Sequence, residues 1–287
     1  MTVGSGGHGR SRHGWHGEPL VKPRSRDAAT VRYGIHPVLE ALSAGVVMEV
    51  LVSGVDRPQV AAVMRRASYL HITLREVLPG ELDRVTHGAR HQGVAAIVRP
   101  HRYLTFEELR VQLAAASEPP MMIALDGVED PQNFGAVLRT AEGAGALAVV
   151  VGERNSAPVT GAVARASAGA VDRVPVAQVG SLPVALRALK QDGFTIIAMD
   201  GEAHADYDNA DLRGRVVFVA GSEGKGIGRS VRQVCDLTVR IPLHGALVSL
   251  NVSVAVGVIA FAARAQRRHL ALGTFLEAKR GFDPEKG

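Results

Sequence analysis

The segment Ile241-Pro-Leu-His-Gly-Ala-Leu-Val-Ser249-Leu-Asn251-Val-Ser253-Val-Ala255 places Ser, Asn and Ser at every second position of a stretch rich in Val and Ala. The apolar pattern that follows predicts a helix over 249–267. In a helix Ser249 and Ser253 share one face, whereas Asn251 projects elsewhere. Capping of the helix would explain Ser249, but it does not explain the whole string. We therefore expect this segment to contribute to a functional site.

A glycine-rich turn precedes this segment, in Val217-Phe-Val-Ala-Gly221-Ser-Glu223-Gly-Lys-Gly226, directly after a predicted buried strand. A phosphate-binding P-loop needs a Gly five positions before Gly-Lys and a Ser or Thr after it, and neither is present. The dinucleotide fingerprint is also missing after this strand. The turn is therefore interpreted as a place where the backbone approaches a ligand closely. Glu223 either orients substrate or catalytic groups, or is an exposed loop residue.

A third polar segment lies further back, in Asn133-Phe-Gly-Ala-Val-Leu-Arg139-Thr-Ala-Glu142. It follows a predicted strand, and ligands of open α/β sheets bind at the carboxyl ends of strands. Asn133 is well suited to cap the helix that follows. Arg139, in a run of apolar residues near the helix middle, is costly to bury without an anionic partner. That partner could be a ligand, or it could be Glu142 or another acid in a structural ion pair.

In this order and spacing, the three segments resemble the signature motifs of the SpoU (TrmH-like) RNA 2'-O-ribose methyltransferases of the SPOUT class. The resemblance implies S-adenosyl-L-methionine as cofactor, an α/β domain with a mostly parallel sheet and a deep trefoil knot, and a homodimer whose active site is completed across the interface. It implies no metal. It places the catalytic residues at Arg139, Asn133, Glu223, Ser249 and Asn251, and the cofactor-binding residues at Gly221, Ile241 and Leu250.

The resemblance leaves two roles open for Arg139. The family proposal makes this arginine the general base that takes the ribose 2'-hydroxyl proton. A guanidinium is effectively always protonated, however, so binding a phosphate and stabilising the developing alkoxide is physically easier.

The rest of the chain predicts a second, smaller domain. Residues 1–30 are rich in Gly, Ser, Arg and His and predict a flexible basic tail. Short strands and helices alternate over 31–100, an arrangement that resembles the L30e-like RNA-binding domain of many SpoU enzymes. Residues 101–120 are predicted to be a linker containing one amphipathic helix, and 121–287 the methyltransferase domain.

The composition agrees with a cytoplasmic protein that binds an anion. The net charge is +5 in 287 residues, which suits nucleic acid, and mild basicity without functional meaning is the alternative. No apolar run approaches the ~18 residues that would span a bilayer. The N-terminal residues have no hydrophobic core of a secretory signal. Cys235, the single cysteine, excludes an internal disulfide and is interpreted as a small core residue.

We therefore predict S-adenosylmethionine-dependent 2'-O-methylation of RNA. The substrate is expected to be 23S rRNA, because Gly34-Ile-His-Pro37 resembles the N-terminal domain of the ribosomal members. An avilamycin-resistance type would suit the Arg- and Ala-rich composition, but the motifs do not distinguish it from a housekeeping enzyme. One alternative is a tRNA 2'-O-methyltransferase, against which residues 31–98 argue. The other is a non-catalytic RNA-binding or ribosome-assembly protein, which the combination of polar residues in the three motifs disfavours.

Overall fold

The computed structural model describes residues 31–245 and 247–280. The predicted basic tail, residues 1–30, lies outside the described residues. The described chain forms two sheets, one from residues 31–98 and one from 121–240, each combined with helices. The predicted α/β class is confirmed.

Residues 31–98 form a small α/β unit around a four-stranded sheet. Its elements are β1 (Val31–Tyr33), α1 (Ile35–Ser43), β2 (Val47–Val52), α2 (Pro58–Tyr69), β3 (Thr73–Glu76), α3 (Pro79–Val85) and β4 (Val94–Val98). The strand order is β1-β4-β2-β3, with β4 antiparallel to both of its neighbours and β3 parallel to β2. The spacing of Val60 and Val63 predicted the buried face of α2, and both side chains are fully buried. Strand β1 was not predicted, because three residues are too few to show a pattern.

Residues 121–280 form the larger unit, around a seven-stranded sheet within the described chain. Its elements are β5 (Met121–Asp126), α5 (Pro131–Ala144), β6 (Ala148–Gly152), α6 (Gly161–Ala166), β7 (Val176–Val179), α7 (Leu182–Gln191), β8 (Thr195–Met199), β9 (Ala205–Asp206), β10 (Val216–Gly221), α8 (Arg229–Arg232), β11 (Leu237–Arg240) and α9 (Val252–Arg280). The order is β7-β6-β5-β10-β8-β11-β9, and every pairing is parallel. The prediction of a mostly parallel sheet is confirmed.

Both faces of this sheet are covered, and the strands are correspondingly apolar along their length. On one face Ile123 and Phe218 pack with Phe134 of α5 and Ile259 of α9. On the other face Met122, Val150 and Val217 pack with α7 and with a helix from the predicted linker, α4 (Phe106–Ala114).

The segment predicted as a linker packs with the larger unit. The amphipathic helix predicted there is present as α4, and its Leu109 and Leu113 are buried in the core of the larger unit. Before it, Leu104 pairs with Ala177 at the sheet edge. The chain therefore passes from one unit to the other near Pro100.

The topology brings two distant strand ends together. β5 and β10 are neighbours, and Asp126 pairs in register with Gly221. Asp126 Oδ2 also accepts a 2.7 Å hydrogen bond from Gly228 N, which ties the end of β5 to the turn after β10. The three motifs therefore meet at the carboxyl edge of the sheet, where α/β proteins bind ligands.

Candidate active site

Three polar side chains from the three motifs form one hydrogen-bonded cluster. Asn133 Nδ2 donates to Glu223 Oε1 at 3.0 Å. Asn251 Nδ2 donates to Asn133 Oδ1 at 2.8 Å and to the same Glu223 oxygen at 2.8 Å. We call these three residues the amide–carboxylate cluster. Glu223 is exposed, as the loop alternative required, but its carboxylate is held by two amides.

The polar positions of the last motif are explained by the start of α9. Asn251 Oδ1 accepts a 3.0 Å hydrogen bond from Ser253 N and also a bond from Ser253 Oγ. Asn251 is therefore the residue that caps the helix, with its amide nitrogen left free for the cluster. The prediction that Ser249 caps a helix beginning at 249 is wrong, because α9 starts at Val252. Ser249 is exposed before the helix.

The cap predicted for the first motif is also corrected. Asp130, not Asn133, precedes α5, and its Oδ1 accepts a 2.9 Å hydrogen bond from Gln132 N. Pro131 then occupies the first helical position, where it needs no hydrogen-bond partner. Asn133 thus lies inside the first turn of α5 and is 8% exposed. From there its side-chain amide contacts the other two members of the cluster, Glu223 and Asn251.

The glycine-rich turn is tight, and Gly221 permits it. Gly226 N donates to Ser222 O at 2.9 Å, which folds the turn back on the end of β10. A Cβ on Gly221 would lie 2.1 Å from the carbonyl carbon of Gly226, closer than any side chain tolerates. Gly224 and Gly226 have φ of 82° and 64°, in the left-handed region that glycine favours. The turn therefore requires several of its glycines.

This turn and the segment before α9 enclose a cavity of about 1160 Å³. All three predicted cofactor-binding residues line it, together with three of the five predicted catalytic residues. These are Gly221, Ile241 and Leu250, with Glu223, Ser249 and Asn251. The other two, Asn133 and Arg139, do not line it, although Asn133 contacts two residues that do.

The cavity has acidic residues that the sequence analysis missed. Asp200 and Glu202 line it, directly after β8. Burial raises the pKa of Asp200, but hydrogen bonds from Glu202 N and from Arg232 outweigh it, so the net pKa lies below the usual value. The signal was available, because these residues follow a predicted buried strand at the same edge of the sheet.

Arg139 lies apart from the cavity. Six residues separate it from Asn133, about 9 Å along the axis of α5. Its side chain is exposed within this single chain. The ion pair with Glu142 that was one of the alternatives is not formed, and Glu142 Oε2 instead accepts from Arg173 at 2.9 Å. Within the described ranges, Arg139 makes no ion pair.

The face of α5 that carries Arg139 and Gly143 approaches α9 near an exposed apolar residue. Gly143 lies one turn after it on α5, and a Cβ there would lie 3.3 Å from the ring of Phe261. Phe261 and Val254 are each 51% exposed, unusual for residues on a helix that covers a sheet. Leu247 and Val248, just before α9, are also exposed. We call these four residues the α9 apolar patch.

Three further observations concern the described part of the chain. Burial, and then Asp236, raise the pKa of Cys235 to about 11, so this thiol is a packing residue and not a nucleophile. Among the residues that the structure describes, no three His, Cys, Asp or Glu side chains are grouped to hold a metal ion. No helix in that part of the chain has the length and apolarity to cross a bilayer.

Comparison with known proteins identifies the class. Residues 120–261 match the SpoU rRNA Methylase family, and residues 33–104 match the RNA 2'-O ribose methyltransferase substrate binding domain. The 23S rRNA (guanosine-2'-O-)-methyltransferase RlmB of Vibrio cholerae is 38% identical over 238 residues, which cover 82% of this chain and 96% of that protein.

Two solved structures share the fold. The AdoMet-bound rRNA methyltransferase from Sinorhizobium meliloti is 25% identical with a TM-score of 0.68, covering 83% of this chain and 87% of that one. The SpoU methyltransferase AviRb from Streptomyces viridochromogenes, in complex with AdoMet, is 21% identical with a TM-score of 0.69, covering 83% and 90%. At that identity the AviRb likeness shows the fold alone.

The chain belongs to the SpoU rRNA methylase family. The resemblance predicted from the three motifs is therefore confirmed, as are the RNA 2'-O-methyltransferase class and the cofactor S-adenosylmethionine. The assignment of individual site residues stays a prediction.

Proposed function

We propose that this chain methylates the ribose 2'-hydroxyl of a guanosine in 23S rRNA. The observation that carries the proposal is the amide–carboxylate cluster, whose members Glu223 and Asn251 stand at the wall of the cavity. The Vibrio cholerae relative supports the substrate, because the match to an enzyme of that name runs through both units of the chain.

The cavity fits S-adenosylmethionine. The tight turn from Gly221 offers backbone without side chains, so a ligand can approach it closely. Ile241 and Leu250 supply apolar surface for an adenine ring, and the carboxylates of Asp200, Glu202 and Glu223 suit a positively charged ligand. When bound, S-adenosylmethionine would supply the methyl group from its sulfonium sulfur: the ribose 2'-oxygen would form the new C–O bond as the C–S bond breaks, leaving a neutral thioether and releasing the hydroxyl proton to water.

The cluster supplies the positioning that this reaction needs. Glu223 Oε1 accepts hydrogen bonds from the side-chain amides of Asn133 and Asn251, and these bonds fix the orientation of the carboxylate. Its other oxygen remains available to accept a hydrogen bond from a ribose hydroxyl. When two reactants are bound side by side, holding the reacting atoms at the right distance and angle contributes much of the rate enhancement.

Arg139 acts, in this proposal, as an electrostatic group and not as a base. It remains protonated, so it binds the phosphate beside the target ribose and stabilises negative charge on the 2'-oxygen. Its exposed position on α5 leaves the guanidinium accessible to RNA.

We also propose a homodimer formed through the α9 apolar patch. Two large apolar side chains are exposed on α9 and two more in the segment just before it, and burying them against a second copy removes them from water. Arg139 lies beside the patch, so a second copy docked there would approach Arg139 and could complete the active site, as the resemblance implies.

The trefoil knot and the role of the N-terminal unit belong to the same proposal. Support for the knot comes from the passage of the 241–251 segment against the loop after β8, where Val248 O lies 3.4 Å from the position of a Cβ on Gly201. Support for an L30e-like RNA-binding unit in residues 31–100 comes from its separate core and from the substrate-binding match over 33–104.

The cytoplasm as the location and an avilamycin-resistance role remain proposals from the sequence. Expression in a sensitive bacterial host would test the second. A resistance methyltransferase raises the inhibitory concentration of avilamycin, whereas a housekeeping enzyme leaves it unchanged.

The activity is tested with purified chain, labelled S-adenosylmethionine and 23S rRNA, with tRNA as the competing substrate. We expect one alkali-resistant ribose position in 23S rRNA, at a guanosine. Glu223→Gln should slow transfer by on the order of a hundredfold while calorimetry still shows cofactor binding. Glu129→Gln, on an exposed loop, is the matched control. Methylation of tRNA alone would favour the tRNA alternative, and cofactor binding without transfer to either RNA would favour the non-catalytic one.

A further inference from the structure

A buried ion pair joins the two units of the chain. Arg32 lies on β1 of the N-terminal unit, and Asp172 lies between α6 and β7 of the larger unit. Their side chains are 4% and 7% exposed, and Arg32 Nη2 stands 3.5 Å from Asp172 Oδ1. Arg32 Nη1 also donates to Thr160 O at 3.3 Å. One guanidinium thus contacts two separate points of the larger unit.

Burial acts against both charges of this pair. It lowers the pKa of Arg32 and raises the pKa of Asp172, and in each case the partner opposes the shift. The charge of each side chain is therefore stabilised mainly by the opposite charge of its partner. Removing one partner would leave an uncompensated buried charge. Such a pair contributes little net stability, but it disfavours any relative placement of the two units that separates its members while they stay buried.

Further contacts surround the pair. The guanidinium carbon of Arg165, on α6, lies 4.5 Å from the centre of the Tyr33 ring, next to Arg32 on β1. The hydroxyl of Tyr103, in the connecting segment, accepts a 2.8 Å hydrogen bond from Val159 N. Leu104 then continues the edge of β7 through backbone bonds of 2.8 and 3.0 Å. The connection is therefore hydrogen-bonded to the larger unit at Tyr103 and Leu104.

We propose that Arg32 is a positioning residue that, with Asp172, clamps the N-terminal unit onto the methyltransferase unit. RNA held by residues 33–104 then reaches the amide–carboxylate cluster at a fixed distance and orientation. The part of this inference that concerns RNA rests on the function proposed above. The clamp itself concerns only the two units of the chain, so it can be tested without RNA.

The first experiment measures opening of the clamp in the full chain. Arg102 is an exposed trypsin site in the connecting segment, whereas the bond after Arg99 precedes Pro100 and resists trypsin. Arg32→Met keeps the apolar stem of the side chain and removes its charge, and we expect cleavage after Arg102 to quicken by on the order of tenfold, because proteolysis follows the open population. Arg75→Met is the matched control, since Arg75 pairs only with Glu49 and Glu81 of its own unit on the surface.

The second experiment separates positioning from a general structural defect. For Arg32→Met we expect the KM for 23S rRNA to rise by on the order of tenfold, since an unclamped unit no longer presents the RNA at a high effective concentration. The kcat should stay within about twofold, because saturating RNA itself bridges the two units. The KM for S-adenosylmethionine should not change. A misfolded protein would lose kcat and cofactor binding together.

A double variant keeps the test decisive if single variants fold poorly. Arg32→Met with Asp172→Leu removes both charges, and apolar replacement of a buried ion pair is well tolerated. We expect trypsin cleavage and the KM for RNA to return at least halfway to wild-type values.

No recovery in the double variant, or unchanged cleavage in Arg32→Met, would overturn the clamp. Faster cleavage with an unchanged KM for RNA would overturn the positioning role. Absence of methylation in the wild type, with the cleavage results as expected, would refute the proposed function and leave the clamp standing.

Discussion

Asn251 donates a 2.8 Å hydrogen bond to Asn133, although 118 residues separate the two in the sequence. The same Asn251 caps α9 through its oxygen, so one amide holds a helix end and a site residue together. Asn251 therefore links the cap of α9 to the proposed active site, and substitutions can separate the two contributions.

Asn251→Ser should keep the cap and lose the amide donor, whereas Asn251→Ala should lose both. We expect Asn251→Ala to lower the free energy of unfolding by about 1 kcal/mol and Asn251→Ser by much less. Both should slow methyl transfer by on the order of a hundredfold. Chemical denaturation and initial rates measure the two effects. A wild-type rate in Asn251→Ser would show that the amide donor has no part in the reaction.

Arg139→Ala should abolish methyl transfer while cofactor affinity stays within about threefold, because Arg139 does not line the cavity. Arg187→Ala, an exposed arginine on α7, is the control for loss of a surface charge. Calorimetry with S-adenosylmethionine and rates with 23S rRNA give the two measurements. Transfer at the wild-type rate would remove Arg139 from the mechanism.

Phe261→Glu should convert a dimer into a monomer, because it places a charge within the α9 apolar patch. Light scattering after size-exclusion chromatography measures the mass. Val184→Glu on α7 is the control, since Val184 is likewise exposed, at 59%, but lies outside the patch. A wild-type chain that is monomeric at micromolar concentration would contradict the proposed dimer.

Gly221→Ala should prevent cofactor binding. The added Cβ would lie 2.1 Å from a backbone carbon of the glycine-rich turn, so the turn must move. Gly214→Ala is the control, because a Cβ there meets nothing within 4 Å. Unchanged cofactor affinity in Gly221→Ala would show that the turn does not hold the ligand.

His101→Phe should change how stability depends on pH. Burial, and then Arg32, lower the pKa of His101 to about 4 from its usual 6.5. The unfolded chain therefore binds the proton more readily between pH 6.5 and 4, so the folded wild type loses stability as pH falls through that window.

The variant lacks this loss. Relative to the variant, the wild type should lose roughly 1–2 kcal/mol between pH 6.5 and 4, a figure discounted for partial exposure of the ring. Above pH 7 the difference between the two proteins should stay constant. Parallel curves of unfolding free energy across the acid range would contradict the shifted pKa.

The sequence predicted strands and helices well where the apolar pattern was long. The apolar spacing over 58–69 predicts a helix, and α2 spans Pro58–Tyr69 with Val60 and Val63 facing the core as that spacing requires. Shorter signals were less informative. The predicted caps of α5 and α9 were both misplaced. Ser, Asp and Asn all cap helices, and the backbone geometry decides which of several neighbouring candidates does so.

The sequence by itself identified the family, through the resemblance of the three motifs to its signature segments, and that resemblance implied the cofactor and the class of reaction. The tertiary structure alone decided which residues touch. It joined Asn133, Glu223 and Asn251 through the parallel pairing of β5 with β10, left Arg139 exposed and buried Arg32 against Asp172. Contacts between residues a hundred positions apart depend on strand order and on the desolvation of paired groups, and no local pattern encodes either.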